Sequence, residues 1–463
     1  MHLTEYNNHA VLEPVSVEQF AQFRDLFKLE YVTFRRFRGR TERTLKTFYY
    51  CFYNPKIFSM SFPIGAIQKV EQFMIDKRIE YKYRIHAASG CGKCIYHLPA
   101  DIISNKYSFQ EDAVAQVSQH RRGIFLHPTG SGKTTTMAKI IAKLQRPTLV
   151  VVPNLTLFTQ THDVFSKYFA PEPIGKLGDS VWNLERINIA TQQTLWSIYE
   201  DSKFQTLRNM IDVLIIDECH HVNSQKGGQE LGNSWFWVAA KIPAYFRYGM
   251  TATLGDKNSA ELLKAVTGEV IHEIDVDTLV KRGVLTQARI EMHRILVHNS
   301  SYDWHEAFEA LLNSTTRNQQ IANLATFHCN QNKRVLIITN RIEKHGKILH
   351  QLIPNSVFVD GSASSEDRKD AIEDFKQNNH VLIGTIFGEG VDIPCVDVVI
   401  IANGGKSQKS VIQRLGRGLR TFAGKNEVLI IDFYDSDGAL LERHSKQRYH
   451  TYKELFPNQV EVT

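Results

Sequence analysis

The sequence predicts an α/β protein: two tandem doubly wound parallel-sheet domains behind a small N-terminal α+β domain. Three observations predict it. A glycine-rich loop, His127-Pro-Thr-Gly-Ser-Gly-Lys-Thr134, follows a short apolar run at 123–126 and precedes a helical pattern at 135–144. From residue 100 onward, short apolar runs alternate with helical patterns, the rhythm of a parallel sheet. The runs form two series, 123–126, 148–152, 187–190, 213–216 and 245–250, then 334–338, 356–359, 381–383, 396–401 and 428–431. Only the first series carries a glycine loop. The expected division is 1–99 for an accessory domain, 100–292 for the first sheet domain and 293–463 for the second, with 275–294 as a bridge.

Bulk composition agrees. A chain of 463 residues, 43% hydrophobic, has material for two or three cores. No apolar run approaches the roughly 20 residues of a membrane span. Met1-His-Leu-Thr-Glu-Tyr6 lacks a basic region followed by an apolar one, so no secretory signal is expected and a cytoplasmic location is. The net charge of +6 leans mildly towards polyanionic partners. Six scattered cysteines fit a reducing compartment. Cys91 and Cys94 have the spacing of half a zinc site, but no second ligand pair lies nearby. Ser89-Gly-Cys-Gly-Lys-Cys94 mimics a phosphate loop, yet 74–88 is too charged to be a buried strand before it. The segment reads as a turn.

In residues 1–99 the sheet–helix rhythm is missing. Val17, Phe20, Phe23, Leu26 and Phe27 share one face of an expected helix. Phe34-Arg-Arg-Phe-Arg-Gly-Arg40 follows, then Arg43 and Lys46, an expected strand at 47–53 and a helix at 65–77. Arginines interleaved with aromatics suit phosphate contacts and base stacking, which makes Arg35, Arg36, Arg38 and Arg40 candidates for nucleic-acid contact. A solvated basic face over an aromatic core is the alternative.

Three stretches carry chemistry. From Thr129 through Ser131, Gly130 and Gly132 let the backbone curl so that N–H groups face phosphate oxygens, with a helix N-terminus behind them. Lys133 can reach the β- and γ-phosphates, and the Thr134 hydroxyl can ligate Mg²⁺. A Gly-rich turn with a surface lysine is the plain alternative. Val213-Leu-Ile-Ile-Asp-Glu-Cys-His220 is a strand ending in two acids: Asp217 can hold Mg²⁺ through water, and Glu218 can deprotonate the water that attacks the γ-phosphate. In the second domain, Arg417 and Arg420 share a helical face and could neutralise charge developing on a γ-phosphate held by the first. Such a site would lie between the domains, and hydrolysis would open and close the cleft.

These residues together resemble the superfamily 2 helicases and translocases. The likeness rests on Asp217-Glu-Cys-His220, Thr251-Ala-Thr253, Gly384-Thr-Ile-Phe-Gly-Glu-Gly-Val-Asp-Ile-Pro394 and Gln413-Arg-Leu-Gly-Arg-Gly-Leu-Arg420, in order, across about 107–435. It implies two RecA-like domains, ATP and Mg²⁺ as cofactors, and DNA gripped through phosphates without sequence preference. It also implies roles for single positions. Gln110 would read adenine, and Gly390, Asp392 and Gln413 would contact nucleotide. His220, Thr251 and Thr253 would couple hydrolysis to domain movement. Pro153, Gln160, Thr191, Gln192, Thr339, Arg341, Gly361 and Thr385 would line the nucleic-acid track. Each of these could, by itself, be an ordinary loop or core residue. Related motors tolerate a residue other than glycine at the position of His127.

Within the superfamily the likeness leans to the phage UvsW-type branch-migration helicases, with XPB- and RecG-like motors further off. The features are a compact motor, a Ser61-Phe-Pro-Ile-Gly65 turn entering a helix, and a tail, Glu442 to Tyr452, after the last strand. The implied protein is a monomeric motor on branched or duplex DNA, working with recombination proteins, in host cytoplasm if phage-encoded. Rivals stay open: an RNA helicase, the motor subunit of a restriction system, and a DNA-binding scaffold with a dead ATP site. The roughly thirty residues after the last expected strand are too few for a nuclease domain. That count weighs against the restriction motor as a single chain.

Overall fold

The structure, a computed structural model, describes every residue except 38–39, 91, 93, 100–106, 224–233, 299–300, 302, 340–341, 360–364, 378–380, 385–394, 406–424, 426 and 457–458. Within helices and strands, the side chains of 34–37, 40–42, 342–343, 365–369, 376, 439 and 455 are also left aside. The chain forms two compact units, Met1–His127 with Gly132–Ile274, and Pro128–Ser131 with Asp275–Thr463. Among the described residues no helix is long and apolar enough to cross a membrane.

The N-terminal region is a five-stranded sheet in the order Phe52–Asn54, Ser59–Pro63, His9–Glu13, His2–Glu5, Lys82–Ile85. Its pairs are antiparallel except the last, which is parallel. Lys82–Ile85 is a strand inside the charged stretch 74–88, and all four residues are exposed, so it needed no apolar signature. The expected first helix runs over Val17–Arg24 and tightens into a 3₁₀ turn at Asp25–Phe27. Ser16 accepts from Gln19 N while the Gln19 side chain accepts from Ser16 N, which satisfies two orphan donors at the helix start. The expected second helix begins as a 3₁₀ turn, Ile64–Ala66, and continues as Ile67–Asp76.

The basic stretch folds as an antiparallel ribbon. Lys28–Phe37 pairs with Arg40–Tyr49, from Lys28 opposite Tyr49 to Phe37 opposite Arg40, and joins no other described sheet. Ten residues per strand make it roughly 30 Å long. The strand expected at 47–53 is therefore broken. The ribbon ends at Tyr49, and Phe52–Asn54 belongs to the small sheet. At the break Tyr50 is buried and its hydroxyl donates to Glu261 Oε1 at 2.6 Å, a long-range bond invisible to strand propensity.

Glu261 also pairs with Lys69, so the small domain is pinned to the helix Lys257–Thr267 of the first sheet domain. Glu5, 1% exposed, receives Arg121 and Arg122 at 2.6 and 2.9 Å. The two layers share one apolar cluster, from Leu3, Phe27 and Met60 to Leu262 and Val266. Gly65 explains the turn singled out in the sequence. A Cβ there would stand 1.9 Å from the Lys264 carbonyl oxygen and 2.8 Å from that of Ala265. Both neighbours are backbone, so Gly65→Ala should destabilise the first unit by about 1–3 kcal/mol, read as a lower thermal midpoint. An unchanged midpoint would mean the layers can part at that point.

The first large sheet has the order Val181–Asn183, Ile174–Gly178, Ile187–Thr191, Thr148–Val152, Val213–Asp217, Phe246–Thr251, Arg122–Leu126, Val270–Glu273. All neighbours are parallel except the first pair. Thr148–Val152, Ile187–Thr191 and Val213–Asp217 are buried at every position, as strands covered on both faces must be. The second large sheet is parallel throughout: Ser356–Val359, Val381–Gly384, Val335–Ile338, Val398–Ile401, Glu427–Ser436, Gln287–Leu296, Val460–Val462.

One expectation is corrected here. Residues 275–294 are not simply a bridge: Gln287–Leu296 is a strand of the second sheet, between Glu427–Ser436 and Val460–Val462. Its buried positions alternate with accessible ones, so it lacks the continuous apolar run by which the other strands were found. The tail forms the helix Ala439–Leu455, packed on the second sheet. Arg448, 2% exposed, donates from Nε to Asp432 Oδ2 at 2.8 Å and from Nη1 and Nη2 to the carbonyls of Gly405 and Phe433 at 2.6 and 2.7 Å.

Candidate nucleotide site

In the first unit the chain leaves neighbouring parallel strands at one edge, so their carboxyl ends gather residues distant in sequence. This is the edge where open α/β sheets bind ligands. Arg122–Leu126 ends before the glycine loop, Phe246–Thr251 beside it ends in Thr251, and Val213–Asp217 beyond ends in Asp217.

Gly130 and Gly132 take φ of 86° and 81°, left-handed values that glycine adopts without a Cβ penalty. Lys133 and Thr134 then open the helix Lys133–Leu144, whose first N–H groups have no partner within the helix. Gln110, 1% exposed on the helix Phe109–Gln116, donates to the Gly132 carbonyl at 3.4 Å. A Cβ on Gly132 would come within 2.7 Å of that amide nitrogen.

Lys133 Nζ lies 3.2 Å from Glu218 Oε1, with the two side chains 10% and 12% exposed. Glu218 Oε2 is 3.4 Å from His220 Nδ1. That nitrogen is also 3.0 Å from Thr251 Oγ1, which donates to the Thr253 carbonyl at 2.9 Å and accepts from Thr253 N at 3.3 Å. Lysine, acid, histidine and the two threonines thus form one polar chain. Burial alone would raise the Glu218 pKa. The Lys133 charge and the His220 contact outweigh it and hold the carboxyl well below the usual range. Glu218 has φ of 46°, a left-handed value uncommon for a residue with a side chain. Its N–H donates to Asp217 Oδ1 at 2.9 Å, and Asp217 is 4% exposed.

His127 stands where a glycine is usual, and its ring is fully buried. It sits edge-on to Phe109 and Phe125, and its Nε2 is 2.8 Å from Nδ1 of His272. Burial, with smaller contributions from His272 and Lys133, pushes its pKa down to about 3, so it is a neutral packing group. Nothing in the sequence pointed to His272 or to the Lys133–Glu218 pair.

The other expected positions divide. Thr191 is buried and caps the helix Gln192–Ser197, accepting from Thr194 N at 3.3 Å. Gln192 is buried and donates to Ser234 Oγ at 2.7 Å. Thr339 in the second unit is buried, 3.1 Å from His345 Nδ1. These three side chains are engaged inside the protein, whereas Pro153 is half-buried and Gln160 exposed. Arg38, Arg341, Gly361, Thr385, Gly390, Asp392, Gln413, Arg417 and Arg420 lie outside the described residues. Arg35, Arg36 and Arg40 are in the ribbon, their side chains among those left aside.

For a metal, no group of three or more His, Cys, Asp or Glu able to hold an ion occurs among the described residues. Asp217, at the end of its strand, and the Thr134 hydroxyl, in the first turn of the helix after the loop, are hard oxygen donors. Donors of that kind suit Mg²⁺, which keeps much of its water and leans on substrate phosphates.

Comparison with known proteins matches both sheet-bearing parts of the chain. Residues 64–256 match the family model of the type III restriction enzyme res subunit, and 316–422 match the helicase conserved C-terminal domain. The chain is 24% identical to the DNA 3'-5' translocase XPB2 of Sulfurisphaera tokodaii, over 76% of this chain and 85% of that one. It is 25% identical to the ATP-dependent DNA helicase uvsW of Enterobacteria phage T4, over 71% of this chain and 68% of that one. Among solved structures, S. cerevisiae Dbp5 bound to RNA and ADP BeF3 superposes with a TM-score of 0.54 at 16% identity, covering 79% of this chain and 93% of that one. That likeness is one of fold.

Proposed function

Because the chain belongs to the superfamily 2 ATP-hydrolysing DNA helicases and translocases, we propose that it is a motor for branched DNA, remodelling forks and four-way junctions by branch migration. The observation that carries this reading is the ribbon Lys28–Tyr49, a basic element fixed to the nucleotide-binding unit. A two-stranded ribbon fits the major groove of a duplex, and its cations match the phosphates on either side. A motor whose nucleotide-binding unit also grips a duplex arm can pull one arm past another. The protein acts as a monomer beside recombination proteins, and its three parts are 1–99, 100–274 and 275–463, the last boundary moved from 292 because the strand Gln287–Leu296 belongs whole to the second sheet.

The chemistry follows from the polar chain. Without nucleotide, Lys133 is spent on Glu218. With ATP, Lys133 turns to the β- and γ-phosphates and Glu218 loses its nearest cation. Its pKa then rises, which makes it a better acceptor for the proton of the attacking water. His220 passes the change to Thr251 and Thr253, which couple it to movement. Asp217 and Thr134 hold Mg²⁺, which supplies neutralisation of phosphate charge. Gln110 reads the base beside the loop, with Gly390, Asp392 and Gln413 completing the nucleotide contacts. Arg417 and Arg420 meet the charge that develops on the γ-phosphate. Pro153, Gln160, Arg341, Gly361 and Thr385 line the track for a strand.

The test is ATP hydrolysis and remodelling across linear duplex, fork, four-way junction and RNA. Forks and junctions should stimulate most. Equal stimulation by RNA would favour an RNA helicase, and hydrolysis driven by linear duplex without remodelling a restriction-type translocase. Absence of phosphate release would leave only a binding scaffold. Replacing Arg35, Arg36, Arg38 and Arg40 by alanine should weaken junction binding and flatten its salt dependence by about one logarithmic unit per lost phosphate contact, with basal hydrolysis kept. Unchanged affinity would reduce the ribbon to a solvated surface.

A further inference from the structure

Between the small sheet and the helix Ser234–Lys241 the first unit holds a cleft of about 180 Å³. Its walls are aromatic rings: Tyr49, Phe52 and Phe62 on the small-domain side, Phe236 and Trp237 on the helix. Phe62 and Phe236 are buried, as packing predicts. Phe52 is 76% exposed and Trp237 38%. Rings left open on both sides of one slot, rather than singly on a surface, mark a place where a flat group can enter.

The slot is preformed. Asn8 Nδ2 donates to the Ala240 carbonyl at 2.7 Å and Asn7 Nδ2 to that of Pro243 at 3.0 Å, which ties the walls together. None of the described residues lining it is acidic. A cation stands beside it: the Arg24 guanidinium lies 5.0 Å from the centre of the Tyr49 ring, while Lys28, the strand partner of Tyr49, is paired with Glu30 at 2.7 Å. Tyr49 ends the same ribbon that carries Arg43 and Lys46. An apolar planar slot with a guanidinium against one wall and no carboxylate among its described lining residues suits a polyanion bearing flat apolar rings. Nucleic acid with an unstacked base has that chemistry; an acidic-lined or purely apolar groove would have suited a basic peptide or a lipid tail.

We propose that this cleft takes an unstacked nucleobase of a single strand, between Phe52 and Trp237, while Arg24 beside Tyr49 holds an adjoining phosphate. The inference rests on the chain being a nucleic-acid motor and not on its preference for branched DNA. Stacking on aromatic side chains is sequence-tolerant, so the slot would accept any base and would mark where a strand leaves its duplex.

The test uses the full chain with Phe52→Ala and Trp237→Ala combined, and with Phe52→Tyr and Trp237→Phe combined as the conservative pair. The probe is a fork with a single-stranded arm carrying 2-aminopurine, run beside a blunt duplex and a fork whose arm is RNA. In wild type the 2-aminopurine signal should be quenched by stacking. The alanine pair should lose the quench and about 5- to 100-fold of arm affinity. Blunt-duplex affinity and nucleic-acid-free ATP hydrolysis should be kept, and the conservative pair should restore arm binding. The DNA and RNA arms decide which strand enters, and a loss on either supports the slot. An alanine pair that binds and quenches the arm as wild type does, or that loses blunt duplex equally, overturns it. Should wild type hydrolyse ATP without remodelling forks, the branch-migration reading falls, yet the quench still decides this one.

Discussion

Lys133→Ala should lower ATP turnover by about 10²–10³-fold, the scale of removing one fixed charge-stabilising donor from a catalytic site, while DNA binding stays largely as it was. Two effects add. The variant loses the cation at the mouth of the helix Lys133–Leu144, where the phosphates would lie. It also leaves Glu218, 12% exposed, with His220 as its remaining ionic contact among the described residues. The charge of Lys133 is the leading cause that keeps the Glu218 pKa low against its burial, so that pKa must rise in the variant. Glu218→Gln should fail differently: it keeps Lys133 free for phosphate and should bind ATP without turning it over. Phosphate release, with fluorescence anisotropy on labelled DNA, separates these outcomes. Turnover at the wild-type rate in Lys133→Ala would remove the glycine loop from the mechanism.

The second large effect lies far from any nucleotide. Arg448→Ala should destabilise the second unit by about 3–5 kcal/mol, the usual result of stranding one partner of a buried ion pair. Asp432 is fully buried, and besides Arg448 it accepts from the Tyr452 hydroxyl at 2.7 Å. Truncation also orphans the Gly405 and Phe433 carbonyls that Arg448 now serves. Denaturant unfolding should show an early transition in Arg448→Ala. Arg448→Met combined with Asp432→Asn should recover part of the loss, because no unpaired charge is then left inside. If the single variant unfolds at the wild-type midpoint, the C-terminal helix is an ornament on the sheet and not a clamp.

Neither effect could have been ranked from residue types alone. Lys133 was legible because its neighbours are local: Gly130, Gly132 and Thr134 announce the loop within a few positions. Asp217 and Glu218 were legible for a similar reason, at the end of an unbroken apolar run. Arg448 was one cation among several in the tail after the last strand, with no sign that it reaches Asp432. Gln287–Leu296 hid for a related cause, since a strand with one accessible face looks like a connector.

What local pattern determined was whatever the backbone settles with its neighbours: the two runs of parallel strands, the phosphate loop, the acids after Val213–Ile216 and the helices near Val17 and Ile67. Those signals depend on periodicity and on glycine, which act over a few residues. Only tertiary structure decided that Lys133 meets Glu218 and His220 meets Thr251, that His127 is absorbed by His272, and that Gly65 must be small because Lys264 lies against it. Those contacts join positions tens to hundreds of residues apart, and strand order, which no short window encodes, is what brings them within a few ångströms.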